Sequence, residues 1–265
     1  MAGAGGLLPG LLYEVHYLWP HNPQPVRAKD EFHTFFKSAF TVDNVIFGFD
    51  DGTLKTLLIR RGEEPFINSW ALPGYFVNPE EALDAAAKRV LREMTGLDNV
   101  YLEQLHTFGE PRRHAFGRVI TVAYYSLVKI ADFQPRAAGV AQDVTWHEVG
   151  DLPKLAFDHA EIISVALETL KKSIRIRPIG FELLPPEFTL TELQHLYEAV
   201  WETELEKRNF RKKILAMGLL TDQGKVQEGV AHRPAKLYAF DEANYRRLER
   251  TGFNFEVKEG RRSGY

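Results

Sequence analysis

The sequence predicts an α+β protein in two parts, a mixed β-sheet packed by helices followed by a smaller unit of two helices and a hairpin. Three observations predict it. Short β-branched and aromatic runs flank an Asp-Gly turn, as strands of a sheet do. One segment among them, residues 82–94, keeps its apolar side chains at helical spacing. Beyond Arg177 the pattern changes to a capped helix, a basic helix and two short strands. A content of 45% hydrophobic and 26% charged residues over 265 positions gives both parts a core and excludes a disordered chain. With no cysteine, disulfide scaffolds and zinc-thiolate sites are excluded as well.

The elements follow in order. Residues 1–35 carry Pro9, Pro20, Pro23 and Pro25 and read as an N-terminal extension with little regular structure. Their apolar stretch near Leu7 is broken by Pro9 and Gly10 and has no cationic flank, so it does not read as a secretory signal. No run is long enough to cross a bilayer, and a cytoplasmic protein without a membrane partner is expected.

Residues 40–49 form a strand, Asp50-Asp51-Gly52 the turn, and 54–59 its antiparallel partner. A loop through Pro65 and Trp70 leads to Leu72-Pro73-Gly74. Pro79 and Glu80-Glu81 then open a helix whose apolar stripe is Ala82, Leu83, Ala86, Ala87, Val90, Leu91 and Met94, with Gly96 as its stop. Strands are expected at 100–108, 118–130 and 144–149. Leu152-Pro153 marks a boundary between a domain at 36–153 and one at 154–265.

The second domain opens with a helix over 158–174, for which Asp158 is a suitable N-cap. His159 is expected to pack between the domains. Residues 179–184 read as a short strand that Pro185-Pro186 ends. Thr189 and Glu192 form a capping box for a helix presenting Leu190, Leu193, Leu196, Tyr197 and Val200. A second helix over 205–217 buries Phe210, Ile214 and Met217, and 219–221 pairs with 236–240 as a hairpin.

The second helix carries the strongest local charge. Residues 207–213 hold five basic side chains in seven, Lys207, Arg208, Arg211, Lys212 and Lys213, with no acid between them. Helix, turn, basic helix and hairpin is the order of a winged helix-turn-helix, in which the second helix enters the major groove. There Arg and Asn pair with base edges while Lys and the wing, here Arg233 and Lys236, meet phosphates. Asn209 either reads adenine or caps local backbone. The overall charge of −3 and the acids Glu202, Glu204 and Glu206 argue for a narrow contact with double-stranded DNA rather than for indiscriminate polyanion binding.

Residues 72–97, LPGYFVNPEEALDAAAKRVLREMTGL, resemble the signature of the Nudix superfamily. With the closing Gly and apolar residue placed on Gly96 and Leu97, Glu81 and Arg89 fall on framework positions, and Tyr75 stands where the first Gly would be. The three helix carboxylates fall at Val90, Glu93 and Met94. A magnesium ion beside a diphosphate needs several oxygen ligands from one helical face, and Glu93 alone remains. No catalytic residue, metal site or cofactor is therefore expected. Val90 and Met94 read as core residues, with relocated carboxylates at Glu103, Glu110 or Asp143 as the other possibility.

A degenerate Nudix domain joined to a winged helix resembles the Nudix-related transcriptional regulators of the NrtR and AraR type. Stretches such as 95–101, 157–159, 178–181 and 207–212 look most like the sugar-responsive branch. The resemblance implies a homodimer on a pseudo-palindromic operator and a small effector, ADP-ribose or a sugar such as arabinose. Candidate effector residues are Arg60, Trp70, Phe76, Glu93, Arg112 and Arg113, because the Nudix cleft lies between the box loop and neighbouring strands. Arg112 and Arg113 either grip a phosphate or are exposed loop charges, the second being favoured. Two other readings stand beside this one: a magnesium-dependent hydrolase of ADP-ribose or another nucleoside diphosphate derivative, and a module that contacts protein through its basic helix.

Overall fold

The computed structural model describes residues 39–230 and 233–258; the extension at 1–35 lies outside them. The fold is α+β. Its larger sheet is built on β1 (Ala39–Asp50), which pairs antiparallel with β2 (Thr53–Arg61) across the Asp-Gly turn and parallel with β6 (Val119–Lys129) along its whole length. Four strands complete it: β5 (Tyr101–Phe108) lies beside β6, β3 (Trp70–Ala71) and β7 (Ala141–Glu148) pair with β2, and β4 (Gly74–Phe76) pairs with β1.

Because side chains alternate along a strand, β1 serves two layers. Asn44 donates to the Ala87 carbonyl of α1 (Leu83–Thr95) on one face. Val45 and Phe47 face the other way, into a cluster with Ile162, Ala166 and Leu170 of α2 (His159–Ile176). That cluster continues unbroken into the second unit, taking in Leu193, Leu196 and Tyr197 of α3 (Leu190–Trp201) and Phe210 and Ile214 of α4 (Lys207–Ala216). The helix α2 is thus shared between both parts of the chain. A three-stranded sheet of β8 (Phe188–Thr189), β10 (Lys236–Phe240) and β9 (Leu220–Val226) forms the wing, and α5 (Glu242–Glu249) follows it.

Three local expectations are corrected. Residues 179–184 are not a strand: Pro178–Leu183 is a 3₁₀ helix with proline in its first turn, where the missing N–H costs nothing. Its Ile179, Phe181 and Leu183 are all buried against the core. The box helix begins at Leu83, with Ala82 at the N-cap position making no side-chain cap bond and Glu81 paired with Arg89. The strand expected at 144–149 begins at Ala141. The capping box at Thr189 and Glu192 forms with both hydrogen bonds in place. Among the described residues no helix is long and apolar enough to cross a membrane.

Candidate ligand cleft and nucleic-acid interface

A shallow, open cleft lies on the larger sheet, with about 100 Å³ of space wide enough for water. Thr41 and Asp43 of β1 form its floor, Arg61 and the 63–65 loop one wall, and the aromatic rings of Tyr75, Phe76, Phe116 and Phe157 much of its rim. Gly74 is required there, since a Cβ at that position would stand 1.8 Å from the Asp43 Oδ1 and 3.0 Å from the Val42 carbonyl oxygen. The motif Leu72-Pro73-Gly74 therefore brings backbone close to a buried carboxylate.

Beneath the cleft sits a buried polar cluster. The Arg113 guanidinium, its side chain 3% exposed, donates from Nε and Nη2 to the two Asp158 oxygens at 2.8 and 2.7 Å, and its Nη2 stands 3.5 Å from Asp43. The expected cap on α2 does not form: the Asp158 carboxylate makes no cap bond and is spent on Arg113 instead. His159, at the start of α2, packs against the larger sheet. Its Nδ1 accepts the Leu72 N–H at 2.9 Å and its Nε2 faces Asp43 Oδ1 at 3.6 Å. Arg61 donates to the Pro65 carbonyl and stacks over Phe157, whose ring also lies flat on His114. Phe157 holds a left-handed backbone, φ 54, immediately before Asp158.

Burial holds the His159 imidazole below its usual protonation range, despite the opposing pull of Asp43 and Asp158. The folded chain keeps this group neutral while the unfolded chain takes up a proton near pH 6.5, so its contribution is complete above that value and is lost as the pH falls towards the lowered folded-state value. The thermal midpoint is expected to drop as the pH goes from 7 to 5. His159→Asn, which keeps an acceptor for Leu72, should flatten that drop, leaving the part due to His114 and His147, which burial shifts the same way. An unchanged pH profile in the variant would contradict this.

The remaining sequence candidates separate cleanly. Phe76 and Arg113 line the cleft, whereas Arg60, Trp70, Glu93 and Arg112 are not among its lining residues. Arg60 and Trp70 are cross-strand partners, and Trp70 packs edge-on against His147. Arg112 is an exposed loop charge as expected, while its neighbour Arg113 is not. Sequence reasoning missed Asp43 and Arg61. Their signal was weak, because β1 and β2 are buried on both faces and alternation does not tell those faces apart.

The Nudix box implies magnesium, and the side chains present do not fit it. Val90 and Met94 are 0% and 4% exposed, inside the apolar cluster under α1. Glu93 is paired with Arg89, which also holds Glu81 and the Phe76 carbonyl. Of the alternative carboxylates, Glu103 is tied to Tyr101, Tyr125 and Arg177, while Glu110 and Asp143 are exposed. Among the described residues no group of three or more His, Cys, Asp or Glu side chains is placed to hold a metal ion.

In the second unit Phe210 and Ile214 anchor α4, and Lys207, Arg208, Asn209, Lys212 and Lys213 are exposed. Glu206 caps the helix by accepting the N–H groups of Arg208 and Asn209 at 3.0 and 2.7 Å, so the cap role open to Asn209 belongs to Glu206. Arg211 is half-buried and donates to Thr191 Oγ1 at 2.7 Å, tying α4 to the start of α3. On the wing Arg233 is exposed and Lys236 pairs with Asp222.

Comparison with known proteins adds the following. A model described as the NUDIX domain matches residues 37–166, and one described as the NrtR DNA-binding winged helix domain matches residues 180–240. The chain is 38% identical over 211 residues to the ADPR responsive transcriptional repressor NtrR of Acinetobacter baylyi, covering 77% of this chain and 83% of that protein. It is 32% identical over 137 residues to the ADP-ribose pyrophosphatase of Methanocaldococcus jannaschii, covering 52% of this chain and 78% of the relative. The crystal structure of Shewanella oneidensis NrtR complexed with a 27mer DNA is similar with a TM-score of 0.67 at 31% identity, covering 83% of this chain and 99% of that one.

Proposed function

The chain belongs to the NrtR-type family, a Nudix domain followed by an NrtR DNA-binding winged helix domain, and on that premise we propose that it is a transcriptional repressor whose grip on operator DNA is released by ADP-ribose. The observation that carries this reading is a single helix in each part. In α1 two of the positions that would ligate magnesium are core residues, and in α4 the exposed Lys207, Arg208, Asn209, Lys212 and Lys213 stand clear of the core. The first leaves a cleft suited to holding a ligand, and the second a surface suited to a major groove.

ADP-ribose replaces the sugar effector because the Acinetobacter baylyi and Methanocaldococcus jannaschii relatives are both named for ADP-ribose. In this reading Arg61 and Arg113 meet the diphosphate, while Phe76, Phe116 and Tyr75 offer ring faces to the adenine. Arg208, Asn209 and Lys212 contact the duplex from α4, with Lys207, Lys213, Arg233 and Lys236 on flanking phosphates. The chain acts as a homodimer, so that two such helices meet half-sites one helical turn apart.

The test is a titration of the full chain against duplex DNA from upstream of its own gene, with and without ADP-ribose, and with arabinose as a control. ADP-ribose is expected to weaken the complex by about 5- to 150-fold, corresponding to a coupling of about 1–3 kcal/mol, and arabinose to leave it unchanged. Lack of duplex affinity at low salt would overturn the reading. So would rapid magnesium-dependent turnover of ADP-ribose that Glu93→Gln abolishes, which is the hydrolase result.

A further inference from the structure

The helix α2 has one end at the cleft and the other in the DNA-binding unit. Its first residue, His159, lines the cleft, and Asp158 directly before it is held by the Arg113 fork. Its last turns carry α3: the Trp201 indole donates to the Lys171 carbonyl at 3.0 Å, the Tyr197 hydroxyl lies 3.4 Å from the Ile174 carbonyl, and Lys171 pairs with Glu202. From α3 the link reaches α4 through Glu198 accepting the Leu205 N–H, and through Arg211 on Thr191. A displacement at the start of α2 is therefore felt at the basic helix through rigid elements.

Asp158 has two places for its carboxylate. It occupies the N-cap position of α2, where an acid ordinarily accepts first-turn N–H groups and meets the positive end of the helix dipole. It makes no such bond here and points to Arg113. Arg113 in turn lines the cleft and is the partner an entering diphosphate would seek. The backbone turns at left-handed Phe157 directly before it, whose ring is held between Arg61 and His114.

We propose that the Arg113–Asp158 pair is the coupling element of this regulator: an effector diphosphate takes the Arg113 fork, and the released Asp158 carboxylate moves onto the first turn of α2 and shifts the helix that carries the DNA-binding unit. The inference rests on ADP-ribose being the effector, and Asp158 is its positioning residue, not a group that touches the ligand. Two discrete arrangements of one side chain give the ligand an equilibrium to bias.

Asp158→Asn tests it in the full chain, since Asn still caps a helix but forms no ion pair with Arg113. Duplex affinity without effector is expected to fall to near the ADP-ribose-saturated value of the wild type. The ratio of affinities without and with ADP-ribose should shrink to below about twofold, and calorimetry should show ADP-ribose binding more tightly, because the coupling is reciprocal. A variant that keeps the wild-type ratio would overturn the proposal. Hydrogen exchange on the unmodified protein gives an independent reading. ADP-ribose should change protection of the amides at 158–163 at the start of α2, and unchanged exchange there, with duplex release intact, would also overturn it. A wild type whose duplex binding ignores ADP-ribose would instead overturn the effector assignment itself.

Discussion

Replacing Arg208 and Lys212 together by alanine is expected to weaken operator binding by about 100-fold at physiological salt, and to reduce the slope of log affinity against log salt by about one for each phosphate that is no longer neutralised. Both side chains are exposed on α4, on the side away from the buried Phe210 and Ile214. Neither supports the core, so the thermal midpoint should stay within a few degrees of the wild type. Arg211→Ala should behave differently. Its Nη2 holds Thr191, and its removal should act through the seating of α4 on α3, with a smaller effect on duplex affinity and a measurable loss of stability. Fluorescence anisotropy from about 50 to 200 mM salt on the wild type and both variants separates these cases, and a double variant that binds duplex normally would remove α4 from the interface.

Arg113→Ala should cost about 3–5 kcal/mol of stability in urea unfolding, the usual consequence of removing one member of a buried ionic cluster. Asp43 and Asp158, their side chains 7% and 16% exposed, would both lose the guanidinium they share. Arg112→Ala, one residue away and exposed, should change stability by no more than about 0.5 kcal/mol. The contrast measures burial directly. Equal and small effects at the two positions would mean that Arg113 is solvated and that the cluster beneath the cleft does not form.

Much of the architecture was legible in the order of residues because it rests on local rules. The Asp-Gly turn set the β1–β2 hairpin, Thr189 and Glu192 set the start of α3, and the spacing of Phe210 and Ile214 fixed which side of α4 would be buried. The apolar stripe of α1 already contained Val90 and Met94, so the absence of a carboxylate at two box positions was evident without coordinates. Where local pattern was ambiguous it misled: Ile179, Phe181 and Leu183 alternate like a strand and lie in a 3₁₀ helix.

The cleft was much less legible. Arg61 lines it while Arg60, its neighbour and an equally plausible candidate, does not, because adjacent strand residues face opposite sides and β2 is buried on both. Arg113 and Asp158, 45 positions apart, meet only when the loop after β5 and the start of α2 arrive at the same point on the sheet. The sequence by itself determined the order of the elements, the loss of two acids from the box helix and the basic face of α4, since each depends on neighbours within a few turns of one segment. Tertiary structure alone decided which charges are buried together and that α2 runs from the cleft to α3, on which the basic helix is seated, since pairing across distant segments depends on how layers stack, and periodicity records only that a residue is inside.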